Sequence, residues 1–124
     1  MLKDAALEAL IGTARADAAK AFYHNVLGLT LESEDQFSIV FAMNGAKVRL
    51  SKVPSVVPSA YAVLGFRVAD IEASLAALVK AGARMERFPF LAQDEAGIWQ
   101  APNGARVAWF RDPDLNLLSI MQPD

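Results

Sequence analysis

The chain has 124 residues, 54% of them hydrophobic and 21% charged, which suits one folded domain of 1–124 and excludes a disordered tail. Twelve basic residues against fourteen acidic ones give a net charge of −2, with no like-charge block to serve as a nucleic-acid footprint. Cysteine is absent, which removes a disulfide scaffold, a thiol nucleophile and any thiolate metal site.

From the N-terminus, Asp4 and Glu8 stand where a secretory signal would need an unbroken apolar stretch. Leu7 to Gly12 then reads as a strand. It is followed by Ala16 to Leu27, where Ala19, Phe22, Val26 and Leu27 recur at helical spacing and Gly28 is placed as the stop. Asn44-Gly45 between Phe37–Met43 and Ala46–Ser51 is the strongest hairpin signal in the chain. A two-residue turn there sets Ala42 opposite Lys47, Val40 opposite Arg49 and Ser38 opposite Ser51. One face of the hairpin is then half polar, facing water or a wet cavity. The other (Phe37, Ile39, Phe41, Met43, Val48, Leu50) is apolar throughout and must pack on the helix.

These elements form a first βαβββ module over 5–52. Residues 53–59, with Pro54 and Pro58, form a linker, and a second module fills 60–124. The longest uncharged stretch, Val53 to Phe66, is too short and too proline-broken for the roughly 20 apolar residues of a membrane span. No membrane partner and a cytoplasmic location are therefore expected.

In the second module Tyr61 to Val68 reads as a strand. Asp70 is placed to cap a helix whose buried stripe is Ile71, Leu75 and Leu78, and Gly82 ends it. A hairpin around Pro102-Asn103-Gly104, a strand Ala105–Arg111, a turn Asp112-Pro113-Asp114-Leu115 and a last strand Asn116–Met121 complete the repeat. Phe22, Leu27, Phe66, Ile71, Leu75, Phe110, Leu118 and Ile120 are assigned to core. Glu32, Glu34, Asp35, Asp94 and Glu95 read as solvated positions, and His24, the single histidine, as an exposed or partly packed helix residue.

This repeated order, with Phe22-Tyr23-His24-Asn25-Val26-Leu27-Gly28-Leu29 early and Asp112-Pro113-Asp114-Leu115-Asn116 late, resembles the vicinal oxygen chelate superfamily. That group includes glyoxalase I, fosfomycin-modifying enzymes, extradiol dioxygenases and bleomycin resistance proteins. The family pattern has Gly where this chain has Leu115, so a strained or a shifted turn is expected there. The resemblance implies an α+β fold, two βαβββ modules forming a cup-shaped mixed sheet with helices outside, and a homodimer. Metal-using members carry four ligands at positions that correspond here to Glu8, Arg49, Val63 and Ser119. Among these only Glu8 is a plausible metal ligand, so no metal and no cofactor are expected.

The resemblance therefore implies a small-molecule ligand held without a metal. The candidate contacts are Glu8 and Arg49 as polar anchors, Tyr61 and Trp109 as stacking surfaces, Val63 and Met121 as wall, and Ser119 as a hydrogen-bonding group. Glu8 and Arg49 also read as a structural ion pair, and the aromatic positions as plain core or a dimer seam; the face of Trp99 is open. Three rival readings stand beside sequestration of an antibiotic-like ligand. One is a metal-dependent lyase, isomerase or dioxygenase. Another is a metal-independent enzyme with Glu8 as general base and Arg49 stabilising negative charge. The last is a partner-binding subunit with a collapsed cup.

Overall fold

The computed structural model describes residues 1–124 and divides into two compact units, Met1–Val57 and Pro58–Asp124. Each unit runs strand, helix, three strands, and each builds a four-stranded mixed sheet.

In the first unit the elements are β1 (Glu8–Thr13), α1 (Ala16–Ala21), a π-helical turn (Phe22–Val26), β2 (Thr30–Glu34), β3 (Ser38–Met43) and β4 (Ala46–Lys52). The strand order is β1-β4-β3-β2, with β1 parallel to β4 and the other pairs antiparallel. Asn44 and Gly45 turn the β3–β4 hairpin at φ 39° and 80°, a left-handed pair that matches the right-handed strand twist. The expected register follows: Ala42 pairs Lys47, Val40 pairs Arg49 and Ser38 pairs Ser51.

The covered face of this sheet carries Ile11, Ile39, Phe41, Val48 and Leu50, all buried. Against it the helical segment presents Ala19 and Tyr23, and the Tyr23 ring stacks on Phe41 with centroids 5.9 Å apart. The sequence reading placed Phe22 and Leu27 in the core, and both are only half-buried. The cause is the π-turn, in which Leu27 N–H donates to the Phe22 carbonyl. Its extra residue shifts the inward face, so Tyr23 and Leu29 are buried instead. Phe37 was expected on the packed face and is 70% exposed. The Asp35 carboxylate accepts from the N–H groups of Phe37 and Ser38, folding a turn that leaves Phe37 outside the strand.

The second unit comprises β5 (Leu64–Arg67), α2 (Ile71–Lys80), β6 (Trp99–Gln100), β7 (Arg106–Arg111) and β8 (Leu117–Gln122), in strand order β5-β8-β7-β6. Asp70 caps α2 by accepting from Ala73 N–H. Ala108, Phe110, Leu118 and Ile120 bury the covered face, and α2 adds Ile71 and Leu75. Phe66, assigned to core from sequence, is half-buried because β5 is an edge strand with one neighbour.

The Asp-Pro-Asp turn is strained and unshifted: Leu115 sits at φ 68° and is 54% exposed. The buried Asp112 carboxylate holds that conformation by accepting from the backbone N–H groups of Asp114 and Asn116 and from the Asn116 side chain.

Candidate functional site

Each sheet has a second face, opposite the one its helix covers, and the two open faces differ in chemistry. In the first unit the alternation of β1, β3 and β4 directs Glu8, Lys47, Arg49, Ser38 and Ser51 to that face. Arg49 Nε donates to Glu8 Oε1 at 2.7 Å, and Arg49 Nη1 donates to Ser38 Oγ at 2.9 Å. Both members of the ion pair keep 38% of their side-chain surface exposed, so the guanidinium is oriented yet reachable. Beside them Lys47 pairs with Glu32 at 2.5 Å, at the bulge where the register of β2 shifts.

Glu34, read from sequence as a plain solvated residue, is more tightly held. It bonds Lys20 of α1 at 2.8 Å and Lys52 of β4 at 2.9 Å. The Lys20 hydrogen bond, followed by that of Lys52, holds the Glu34 carboxyl below its ordinary value, and the Glu34 bond raises the Lys20 ammonium. Asp35 is likewise held low, chiefly by the N–H groups of Phe37 and Ser38. His24 is exposed, as expected, and its Nδ1 lies 3.0 Å from the Leu29 carbonyl, where it donates.

The second unit's open face is aromatic. Gly65, Ser119 and Trp109 form one cross-strand row, and Arg67, Met121, Val107 and Trp99 form the next. Of the sequence-predicted residues, Trp109, Ser119 and Met121 therefore share a face, and the register adds Trp99 to it. Tyr61 does not join them. The strand starts at Leu64, not at Tyr61, and Tyr61 is 72% exposed in the preceding bend, where its N–H is taken by Ser59 Oγ. Val63 also lies just outside the strand, although its N–H still reaches the Leu117 carbonyl.

Two rings that sequence reading did not single out complete the surface. Phe88 meets Trp109 edge to face at 5.5 Å, Phe90 lies 5.5 Å from Phe88, and Trp99 lies 6.1 Å from Trp109. Phe88 and Phe90 come from the irregular segment between α2 and β6, which the side chain of Gln93 ties down. Its Nε2 donates to the Glu86 and Gly97 carbonyls and its Oε1 accepts from Phe88 N–H. Asp94 adds bonds from Ala96 and Ile98 N–H, so it too is more than a solvated loop residue. The one usable sequence signal was the aromatic spacing Phe88-Pro89-Phe90, which carries no periodicity. Gly65 puts no side chain into the row it shares with Ser119 and Trp109, and an added Cβ there would stand 3.2 Å from Ser119 Oγ.

Two units of the same strand-helix-three-strand order, each with one open sheet face, define a paired βαβββ protein. The chain belongs to the Glyoxalase/Bleomycin resistance protein/Dioxygenase superfamily, whose family model matches residues 6–120. Among solved structures it is similar to a glyoxalase family protein from Enterococcus faecalis, at TM-score 0.75 and 21% identity, covering 98% of this chain and 99% of that one. A lactoylglutathione lyase from Agrobacterium tumefaciens matches at TM-score 0.74 and 18% identity, over 96% and 93% of the two chains. TnmS3, an antibiotic binding protein from Streptomyces sp. CB03234, matches at TM-score 0.72 and 21% identity, over 100% and 99%. At these identities the likeness is one of fold. Comparison with the curated proteins gives no match.

Taken unit by unit, the residues that the resemblance assigns to metal-ligand positions offer few donors for a divalent cation. Glu8 is the one carboxylate among them and is already paired with Arg49, whose own charge opposes a cation. Val63 has no donor atom, and Ser119 offers a neutral hydroxyl. Nor does any group of three or more His, Asp or Glu side chains gather elsewhere in a way that could hold a metal ion.

Proposed function

We propose that this protein binds a small, flat, aromatic or amphipathic organic molecule without a metal and without transforming it, as in sequestration of an antibiotic. The observation that carries this reading is the platform of Trp99, Trp109, Phe88 and Phe90, whose Phe88–Phe90 segment is tied down by Gln93 and whose row with Ser119 is left clear by Gly65. Offset and edge-on ring arrays of this kind stack planar ligands, and rings fixed in advance lose little entropy on binding. Ser119 supplies a hydroxyl at the same row as Trp109. On the first unit's own open face, Arg49, oriented by Glu8 and Ser38, is proposed as a separate anchor for an acidic or carbonyl group. The printed description of TnmS3 as an antibiotic binding protein supports the binding reading by analogy of fold. A cytoplasmic homodimer is part of the same proposal; no helix is long and apolar enough to cross a membrane.

A tryptophan-fluorescence screen against bleomycin-type drugs, planar aromatic antibiotics and glutathione adducts tests it. Saturable quenching that Trp109→Phe weakens by up to about tenfold, the upper worth of one aromatic contact, is the expected result. A folded protein that responds to none of these compounds would favour the collapsed-cup alternative. The likeness to a lactoylglutathione lyase supports a second reading, a metal-dependent lyase, isomerase or dioxygenase, and stoichiometric metal in protein purified without chelator would overturn the metal-free reading in its favour.

A further inference from the structure

A groove of about 620 Å³ runs along the second unit between α2 and the segment that follows it, on the helix side and apart from the aromatic platform. Its floor is apolar: Leu75 and Ala83 are buried, Met85 is half-buried, and Val79 leaves 49% of its surface in water. Its rim is cationic. Lys80 and Arg84 line it and neither pairs with an acidic side chain, although seven ion pairs use most of the chain's other charges. Arg87 also lines it, with its guanidinium donating to the Asp94 and Glu95 carbonyls. The single carboxylate on the rim is that of Glu95, so the groove carries a net positive charge.

The last turn of α2 makes no demand on these cations. Its carbonyls at Ala77, Leu78 and Val79 are taken by the N–H groups of Ala81, Ala83 and Gly82. Two unpaired cations above an exposed valine and a buried leucine are the complement of a molecule with one anionic end and one short apolar end. The volume lies within the range of small-molecule sites.

We propose that this groove binds a small amphipathic carboxylate, with the carboxylate on Lys80 and Arg84 and the hydrocarbon on Val79, Leu75 and Met85. Arginine suits the role because its fork can take both carboxylate oxygens. The site is open, so affinity is modest and charge-dependent.

Octanoate is the probe, with octanamide as its uncharged counterpart, titrated into isotopically labelled full-length protein and followed by amide chemical shifts. The expected result is saturable octanoate binding with Kd below about 1 mM, with shifts centred on 76–87. Arg84→Gln and Lys80→Gln each weaken it about two- to fivefold, as for exposed ion pairs, and octanamide binds correspondingly less well. Val79→Asp abolishes it while leaving the amide spectrum folded. Equal binding of octanamide, shifts centred on Trp99 and Trp109, no saturation, or concentration-dependent self-association that covers 76–87 would each overturn the proposal. Apart from shifts centred on Trp99 and Trp109, none of these outcomes bears on the aromatic platform, whose own test reads tryptophan quenching.

Discussion

The two units share a strand order and an element order, yet their open faces have opposite characters. The first sheet turns Glu8, Lys47, Arg49 and Ser38 outward and stitches them into ion pairs and hydrogen bonds. The second turns Trp99, Trp109, Val107 and Met121 outward and covers part of them with Phe88 and Phe90. One topology thus supplies a charged surface and an aromatic one. The pattern of buried residues fixes the sheet, while the residues between them are free to carry chemistry. The helices differ as well. In the second unit α2 spans Ile71–Lys80 behind an Asp70 cap, whereas α1 covers Ala16–Ala21, has no side-chain cap bond, and passes into a π-turn.

Four tests break or sharpen that contrast. The largest effect is expected where the units are alike, in their buried rings. Phe41→Ala and Phe110→Ala, both at fully buried positions, should each lower stability by about 3–5 kcal/mol in denaturant titration. A loss below about 1 kcal/mol at either would show that its sheet is not the core described. Next, Gln93→Ala removes three hydrogen bonds that hold the segment under Phe88 and should cost about 1–3 kcal/mol. It should also weaken aromatic-ligand quenching severalfold while leaving the first unit's amide shifts unchanged.

Leu115→Gly acts in the other direction. It relieves a left-handed leucine that is mostly solvent-exposed, and should raise stability by up to about 1 kcal/mol. A loss of that size instead would mean the leucine packs more than its exposure indicates.

The smallest effect is electrostatic and belongs to the first unit. Glu34 and Asp35 are held below their ordinary values, so their contribution is present above the usual carboxylate range near about pH 4 and is lost as pH falls through the lower folded values. Lys20 is raised by Glu34, so its share is complete at neutral pH and disappears only as pH rises through its folded value. Glu34→Gln should flatten part of the acid slope of the thermal midpoint; an unchanged slope would contradict the pairing seen with Lys20 and Lys52.

Local chemistry made much of the fold readable in advance. Asn44-Gly45 specifies a left-handed hairpin turn, and the register of a whole strand pair follows from it. Asp70 announces a helix start, and Leu115, where the resembled pattern has glycine, leaves a strained or a shifted turn open, of which the structure takes the strained one. The misses come from effects that sequence spacing does not encode. A π-turn rotated Tyr23 inward in place of Phe22, and a hydrogen-bonded turn at Asp35 took Phe37 out of its strand. A strand three residues shorter than expected at its start left Tyr61 in solvent. Of the candidate site, Glu8, Arg49, Trp109 and Ser119 were singled out by the family resemblance, and the structure pairs Glu8 with Arg49 and sets Trp109 opposite Ser119. Phe88 and Phe90 were not, because an irregular segment is placed by the Gln93 amide and by no periodicity.

The most direct measurement is a ligand titration by tryptophan quenching, on protein purified without chelator and again after exhaustive treatment with EDTA. Stacking and salt-bridging alone predict one binding curve for both preparations, with metal far below one equivalent per chain. A curve that vanishes with EDTA and returns with one equivalent of zinc, nickel, iron or manganese would contradict the account.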